Sequence, residues 1–188
     1  MGHDAGIWYR INGKDEIIEV GGNWDLFSEN NGGQGLEAET LRGHVLWKFV
    51  TGTTTRDLYK RLLTRVRSGQ LVRFKLRCDG PTHRRLLEMT IRADGDQSVE
   101  FATRDLEVTE RESIAMLVDS GTRSTAMLVV CAWCNRVQVR PQVWMEVELA
   151  IEQLDLFEAD GLPQVTHGIC DDCLESMTEL VEQMEQGE

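Results

Sequence analysis

Val72-Arg73-Phe74-Lys75-Leu76-Arg77-Cys78-Asp79 alternates apolar and charged residues without a break. Successive side chains of a strand point to opposite faces, so Val72, Phe74, Leu76 and Cys78 line one side and the charged residues the other. A strand that is apolar on one side needs a cover, and the candidate cover lies just before it. Leu58, Leu62 and Val66 recur every four residues, Tyr59 and Leu63 sit beside them, and Arg and Lys fill the opposite face. This spacing predicts an amphipathic helix that stops at Ser68-Gly69, with Thr54-x-x-Asp57 placed to form a capping box. Beyond the strand, Asp79-Gly80-Pro81 turns the chain. Leu87, Met89, Ile91 and Ala93 then alternate against Glu88, Thr90 and Arg92. Asp94-Gly95 turns it again, and Val99 and Phe101 begin a third strand expected to fade near Leu106.

Upstream, Ile7 to Ile11 and Ile17 to Val20 read as two strands around Asn12-Gly13. Trp24, Leu26 and Phe27 cluster at near-helical spacing. Residues 30–39 are Gly-rich and polar, hence a loop, and Leu41, Leu46, Trp47, Phe49 and Val50 make a short buried helix or turn. Two strands, short helices, one longer helix and a three-strand meander give an α+β class, an antiparallel sheet with one face covered by helices. The expected organisation is a first domain over residues 1–106, a linker over 107–126 and a small module over 127–188.

That order resembles the PAS fold of bacterial sensor proteins. Gly22-Asn23-Trp24-Asp25-Leu26-Phe27 and the run Leu41 to Val50 resemble a set of PAS-like sensor sequences, and Cys131-Ala132-Trp133-Cys134 with His167-Gly168-Ile169-Cys170 resembles a segment found after PAS or response-regulator modules. The resemblance implies a sensing or dimerising module. Some members hold haem, flavin or a small metabolite between sheet and helices, and others hold nothing. Trp24, Trp47, Phe74 and Met89 are the candidates for lining such a pocket, although aromatic residues more often build a core. His44 is a candidate haem ligand, but Gly43 beside it suggests a turn. Cys78, on the apolar face of a strand with no basic partner in sequence, reads as core packing rather than as a reactive thiol.

The last third carries two C-x-x-C pairs, Cys131/Cys134 and Cys170/Cys173, separated by Asn135 to Ile169. Paired C-x-x-C spacing offers the four thiolates of a closed structural zinc site. The first pair falls on a hairpin turn. The second opens a helix, whose N–H groups favour thiolate. A treble-clef-like zinc module is therefore expected. Two alternatives remain: redox-active dithiols, or reduced cysteines in a core. No His directly follows either pair, so c-type haem attachment is excluded. His167 could replace a ligand, hydrogen-bond a thiolate, or sit in a surface loop. Val147, Ala150, Ile151 and Leu154 form a helical stripe that Gly161-Leu162-Pro163 is expected to stop. Leu174, Met177, Val181 and Met184 form another, spaced as for a helix docked on its own chain or for a dimer seam.

The net charge of −12 argues against nucleic-acid binding, which needs a basic footprint. The charge is uneven. Residues 56–85 hold ten basic and two acidic residues, a net of +8, and residues 131–188 hold two basic and thirteen acidic, a net of −11. These halves could attract each other within one chain or between two, or remain separate solvated faces. There is no apolar run of membrane-spanning length, and Met1-Gly2-His3-Asp4 opens without a secretory pattern. With paired rather than scaffold-like cysteines, a reducing, cytoplasmic location is expected. No nucleophile–base set and no phosphate-cradling loop is found, and four cysteine ligands leave no open metal position for catalysis. The expectation is a non-catalytic signalling protein acting on a partner or on itself as a homodimer, with zinc in its tail. The alternatives are a thiol/metal switch that senses oxidants, and a PAS domain holding a small ligand or haem.

Overall fold

The computed structural model describes residues 6–31, 33, 35–114, 117, 123–155 and 162–187. A first hairpin, β1 (Ile7–Ile11) and β2 (Ile17–Gly22), is followed by α1 (Trp24–Asn30), α2 (Ala38–Leu41) and a short 3₁₀ turn at Leu46–Lys48. Then come α3 (Thr53–Arg67), β3 (Val72–Arg77), β4 (His83–Ala93) and β5 (Val99–Glu110). These strands form one antiparallel sheet in the order β2-β1-β5-β4-β3. The first hairpin is set by Asn12. Its side-chain oxygen accepts from the Lys14 N–H (2.9 Å) and the Glu16 N–H (3.0 Å), the local bonding that makes Asn a turn residue.

The alternation of β3 to β5 works as the sequence implies. Val72, Met89, Ile91, Val99 and Phe101 are buried on the inner face, beneath Leu58, Leu62, Leu63 and Val66 of α3. Each such side chain contributes roughly 1.5–3 kcal/mol by leaving water. The capping box does not form. Gly52, at φ +81°, occupies the N-cap, and α3 starts at Thr53, so Thr54 lies inside the helix and Thr55 is buried.

A second, four-stranded sheet follows. It consists of β6 (Arg123–Cys131), β7 (Val137–Arg140), β8 (Val143–Met145) and β9 (Leu162–Gly168), in the order β8-β7-β6-β9, with α4 (Val147–Gln153) and α5 (Asp171–Gln186) alongside. β9 corrects the sequence reading, in which Leu162-Pro163 only ended a helix. It pairs parallel with β6 at the sheet edge. Pro163 stands near the start of that edge strand, where a missing N–H is tolerated. A second correction concerns β5, which continues to Glu110 by pairing with the start of β4 (His83 opposite Glu110), so the strand does not fade near Leu106. β5 thus takes the first residues of the stretch read as a linker and β6 the last. Within the rest of that stretch, Ile114 is buried in a small core with Leu128, Val130, Val137 and Val147, while residues 115–116 and 118–122 lie outside the described residues.

The cysteine-bearing side of the tail does not stand apart. Cys131, Trp133, Cys170, Met177 and Val181 belong to the same buried cluster as α3 and the five-stranded sheet. The apolar stripe of α5 therefore lies against its own chain, and Met177 and Val181 are not free to form a dimer seam. The opposite charges also meet within the chain. Arg61 grips Glu185 through two bonds (3.2 and 3.0 Å), Arg77 bonds Glu146 (2.5 Å), and Arg84 reaches Glu146 (3.0 Å) and Glu148 (2.8 Å). Behind these pairs the Asp79 side chain is 1% exposed and held by Arg77 and Arg111. Among the described residues no helix is long and apolar enough to cross a membrane.

Candidate metal centre

Cys131 ends β6, and Ala132 to Cys134 form the turn into β7. Two bonds close this turn, Asn135 N–H to Cys131 carbonyl (3.0 Å) and Cys131 N–H to Arg136 carbonyl (2.8 Å), with Asn135 in the left-handed region at φ +58°. From the other side Cys170 caps α5 and Cys173 lies in its first turn. The Ala132 N–H bonds the Gly168 carbonyl (2.9 Å), tying the turn to the end of β9. A side chain at 168 would place its Cβ 2.9 Å from Val129 Cγ1, so only glycine lets β9 pass this close to β6.

The four Sγ atoms lie within 4.8 Å of one another. Cys134 and Cys170 sulfurs are 3.6 Å apart, and all four cysteines are free of disulfides. Four ligands at the usual zinc–sulfur length would stand roughly 3.8 Å apart at tetrahedral corners. The donor set therefore fits a tetrahedral thiolate site.

The protons agree. Hydrogen bonds from Cys131 and Cys173 lower the Cys134 pKa far below that of an ordinary thiol, helped by Arg136. Burial pushes Cys170 up to about 11, and Cys173 is raised by holding its proton between the sulfurs of Cys131 and Cys134. Crowded thiolates repel one another, so without a cation the cluster keeps protons; a dication would displace them.

Arg136 is a contributor the sequence reading missed. Its Nε donates to Cys134 Sγ (3.3 Å) and its Nη2 to Cys170 Sγ (3.4 Å) and to Asp172 (2.7 Å). The backbone N–H of Cys170 points at Cys131 Sγ (3.4 Å). Such outer partners orient metal ligands and stabilise their charge. The available signal was that Arg136, two residues after Cys134, is one of only two basic residues in 131–188. His167 does not join the sulfurs. It stands on β9 opposite Val130, in the wall of a cleft, and is neither a fifth ligand nor a donor to a thiolate among the described residues.

Trp133, between the first two cysteines, is the mechanical link. It is 4% exposed, stacks on Tyr59 of α3 (centroids 5.5 Å, 20° between planes), and its carbonyl accepts from the Arg77 N–H (2.7 Å). Tyr59 in turn approaches Phe101, on which Tyr9 stacks at 4.6 Å. Burial raises the Tyr59 phenol to about 12 and Tyr9 also well above its ordinary value, so both stay neutral.

The four residues considered for a pocket lie in or against the first core, and Phe74 pairs with Met89 across β3 and β4. Trp24 packs edge-on to Tyr9 and bonds the Leu36 carbonyl. Trp47 bonds Asp15 (2.8 Å) beneath Lys60, Met89 is buried in the core, and Phe74 packs against it. His44 is exposed beside Phe49. The Cys78 thiol, raised to about 11 mainly by burial, is protonated and unreactive at neutral pH.

No family model and no curated protein matches the chain. Among solved structures it is similar to the PAS domain of the RpfR quorum-sensing receptor of Cronobacter turicensis, in complex with C12:0, at a TM-score of 0.41 and 10% identity over 57% of this chain and 99% of that one. It is also similar to a domain of an HTR-like protein from Haloarcula marismortui, at a TM-score of 0.35 and 13% identity over 55% of this chain and all of that one. Both likenesses are distant, and the α+β class rests on the chain's own strand order and helix packing.

Proposed function

We propose that this chain is a non-catalytic signalling protein of the reducing cytoplasm. Its α+β core is the sensory part, and its tail, closed by one structural zinc ion on Cys131, Cys134, Cys170 and Cys173, is the surface offered to a protein partner or to a second copy. The observation that carries the reading is the convergence of four thiols within 4.8 Å at a site sharing one core with α3. A zinc ion there neutralises thiolate charge and locks the β6–β7 turn to α5. In support, Trp133 stands between that turn and the aromatic stack of the sheet, so a change at either end has a packed route to the other. The sequence resemblance to PAS-like sensors supports the sensory half of the proposal.

The test is elemental analysis of protein purified without a metal-affinity tag, with molar mass by light scattering before and after a strong chelator. One zinc per chain, and a mass or a partner affinity that changes when it is removed, is expected. Stably folded protein without metal refutes the zinc centre.

A second reading, a thiol/metal switch, is favoured by one observation. Arg136 holds Cys134 toward thiolate, the form that oxidants attack. Peroxide titration with zinc release followed alongside tests it: release at low peroxide supports a switch, and retention of zinc at levels that oxidise free cysteine excludes one.

A further inference from the structure

A cleft of about 390 Å³ opens where the end of β3 faces the second sheet, with Ala132 and Asn135 of the cysteine-bearing turn in its wall and none of the four cysteine ligands lining it. Its volume lies at the lower end of the roughly 300–1,000 Å³ of small-molecule sites. Its floor is apolar, built from Leu76 of β3, Val130 of β6, Val137 of β7, Val147 of α4 and Val165 of β9. Val130, Val137 and Val147 are nearly fully buried, so the floor is fixed by the second core rather than by mobile surface chains.

Besides Asn31, whose amide is already bonded to the Phe27 carbonyl and to Arg85, three neutral polar residues line this space: Asn135, His167 and Cys78. None of them has a side-chain hydrogen bond among the described residues. The nearby charges, by contrast, are already engaged: Arg77 is bonded to both Asp79 and Glu146, and Arg123 to the Pro163 carbonyl. An apolar floor with a few unpaired neutral donors and acceptors, and its charges already bonded within the chain, suits an uncharged amphipathic molecule.

We infer that this cleft between the two sheets is a binding site for a small, uncharged, mainly apolar ligand whose single polar head bonds Asn135 and His167. The site draws on both halves of the chain, so an occupant stabilises their docking. The inference rests on the sensory proposal only for what the ligand would signify; the cleft is tested by itself.

The probe is N-phenylnaphthylamine, a neutral apolar fluorophore with one N–H, titrated into the full chain with its metal in place. Saturable one-site fluorescence enhancement is expected. Val165→Trp, which fills the cleft from β9, removes it. His167→Ala, which deletes one hydrogen bond from an accessible side chain, weakens it about three- to ten-fold. Absence of saturable binding to the unaltered chain, or unchanged affinity in Val165→Trp, overturns the site. If circular dichroism shows that Val165→Trp does not fold, His167→Ala decides, and unchanged affinity there overturns it. Metal content is measured on each variant, so a failure here leaves the zinc proposal standing and a failure of the zinc proposal is seen separately.

Discussion

The two sheets of this protein are held together by different means. The five-stranded sheet has long strands, one continuous apolar face and a fifteen-residue helix laid across it, so burial of Leu58, Leu62, Val66, Ile91 and Phe101 dominates. The second sheet has strands of three to nine residues. Its own core is small, and its outer side relies on four sulfurs and on arginines reaching across from the first half. Apolar burial scales with element length, whereas a metal site and buried ion pairs concentrate their effect in a few atoms. Substitutions should therefore act gradually in the first sheet and abruptly in the second.

The largest effect should come from Cys170→Ser. Losing one of four ligands is expected to release the metal and undock α5 while the first sheet persists, seen as loss of amide-exchange protection confined to the tail. Protection lost equally in both halves would show that the regions are not separable. Next is Asp79→Ala. Removing the buried partner of Arg77 and Arg111 leaves these two guanidiniums with the part-exposed Glu146 and Glu148 as their carboxylate partners, at a cost of about 3–5 kcal/mol in denaturant unfolding. Leu62→Ala, in the centre of the first core, should cost about 2–5 kcal/mol and leave metal content unchanged. Loss of metal from that variant would erase the contrast.

A smaller effect is expected from acid. Burial alone would raise the Glu148 carboxyl, but hydrogen bonds from Arg84 win and its pKa is lowered. A carboxylate depressed in the folded state contributes stability that is complete above its unfolded pKa and fades as pH falls through the folded one. The clasp between the halves should thus weaken below the ordinary carboxylate range, before metal is considered. Arg61→Ala should do least. The Arg61–Glu185 pair is solvent-exposed, worth about 1 kcal/mol or less, and its loss should be masked by salt.

The first half was legible because its signals are periodic. Leu58, Leu62 and Val66 marked α3, and the alternation from Val72 to Ala93 marked two strands with the correct inner face. The α3 cap was misplaced because the helix opens earlier than read, at Thr53 after Gly52 at φ +81°, with no side-chain cap bond. In the second half the cysteine pairs announced themselves by spacing, and the hairpin and helix that carry them were placed correctly. β9 was hidden because Leu162-Pro163-Gln164-Val165-Thr166-His167-Gly168 contains a proline and only a weak alternation, and its pairing is with β6, 39 residues earlier at Arg123 opposite Leu162. Arg136 was hidden for a related reason: its partner Cys170 is distant in sequence, and no local pattern signals a bond to it. Charge asymmetry showed that the halves were complementary, but only the packing of α5 on α3 showed that they meet within one chain.

The most direct measurement is zinc K-edge X-ray absorption on the full chain purified without a metal-affinity tag. The account predicts one zinc per chain, with four sulfur neighbours at about 2.3 Å and no light-atom ligand. A mixed shell containing oxygen or nitrogen, or folded protein with no bound metal, would contradict it.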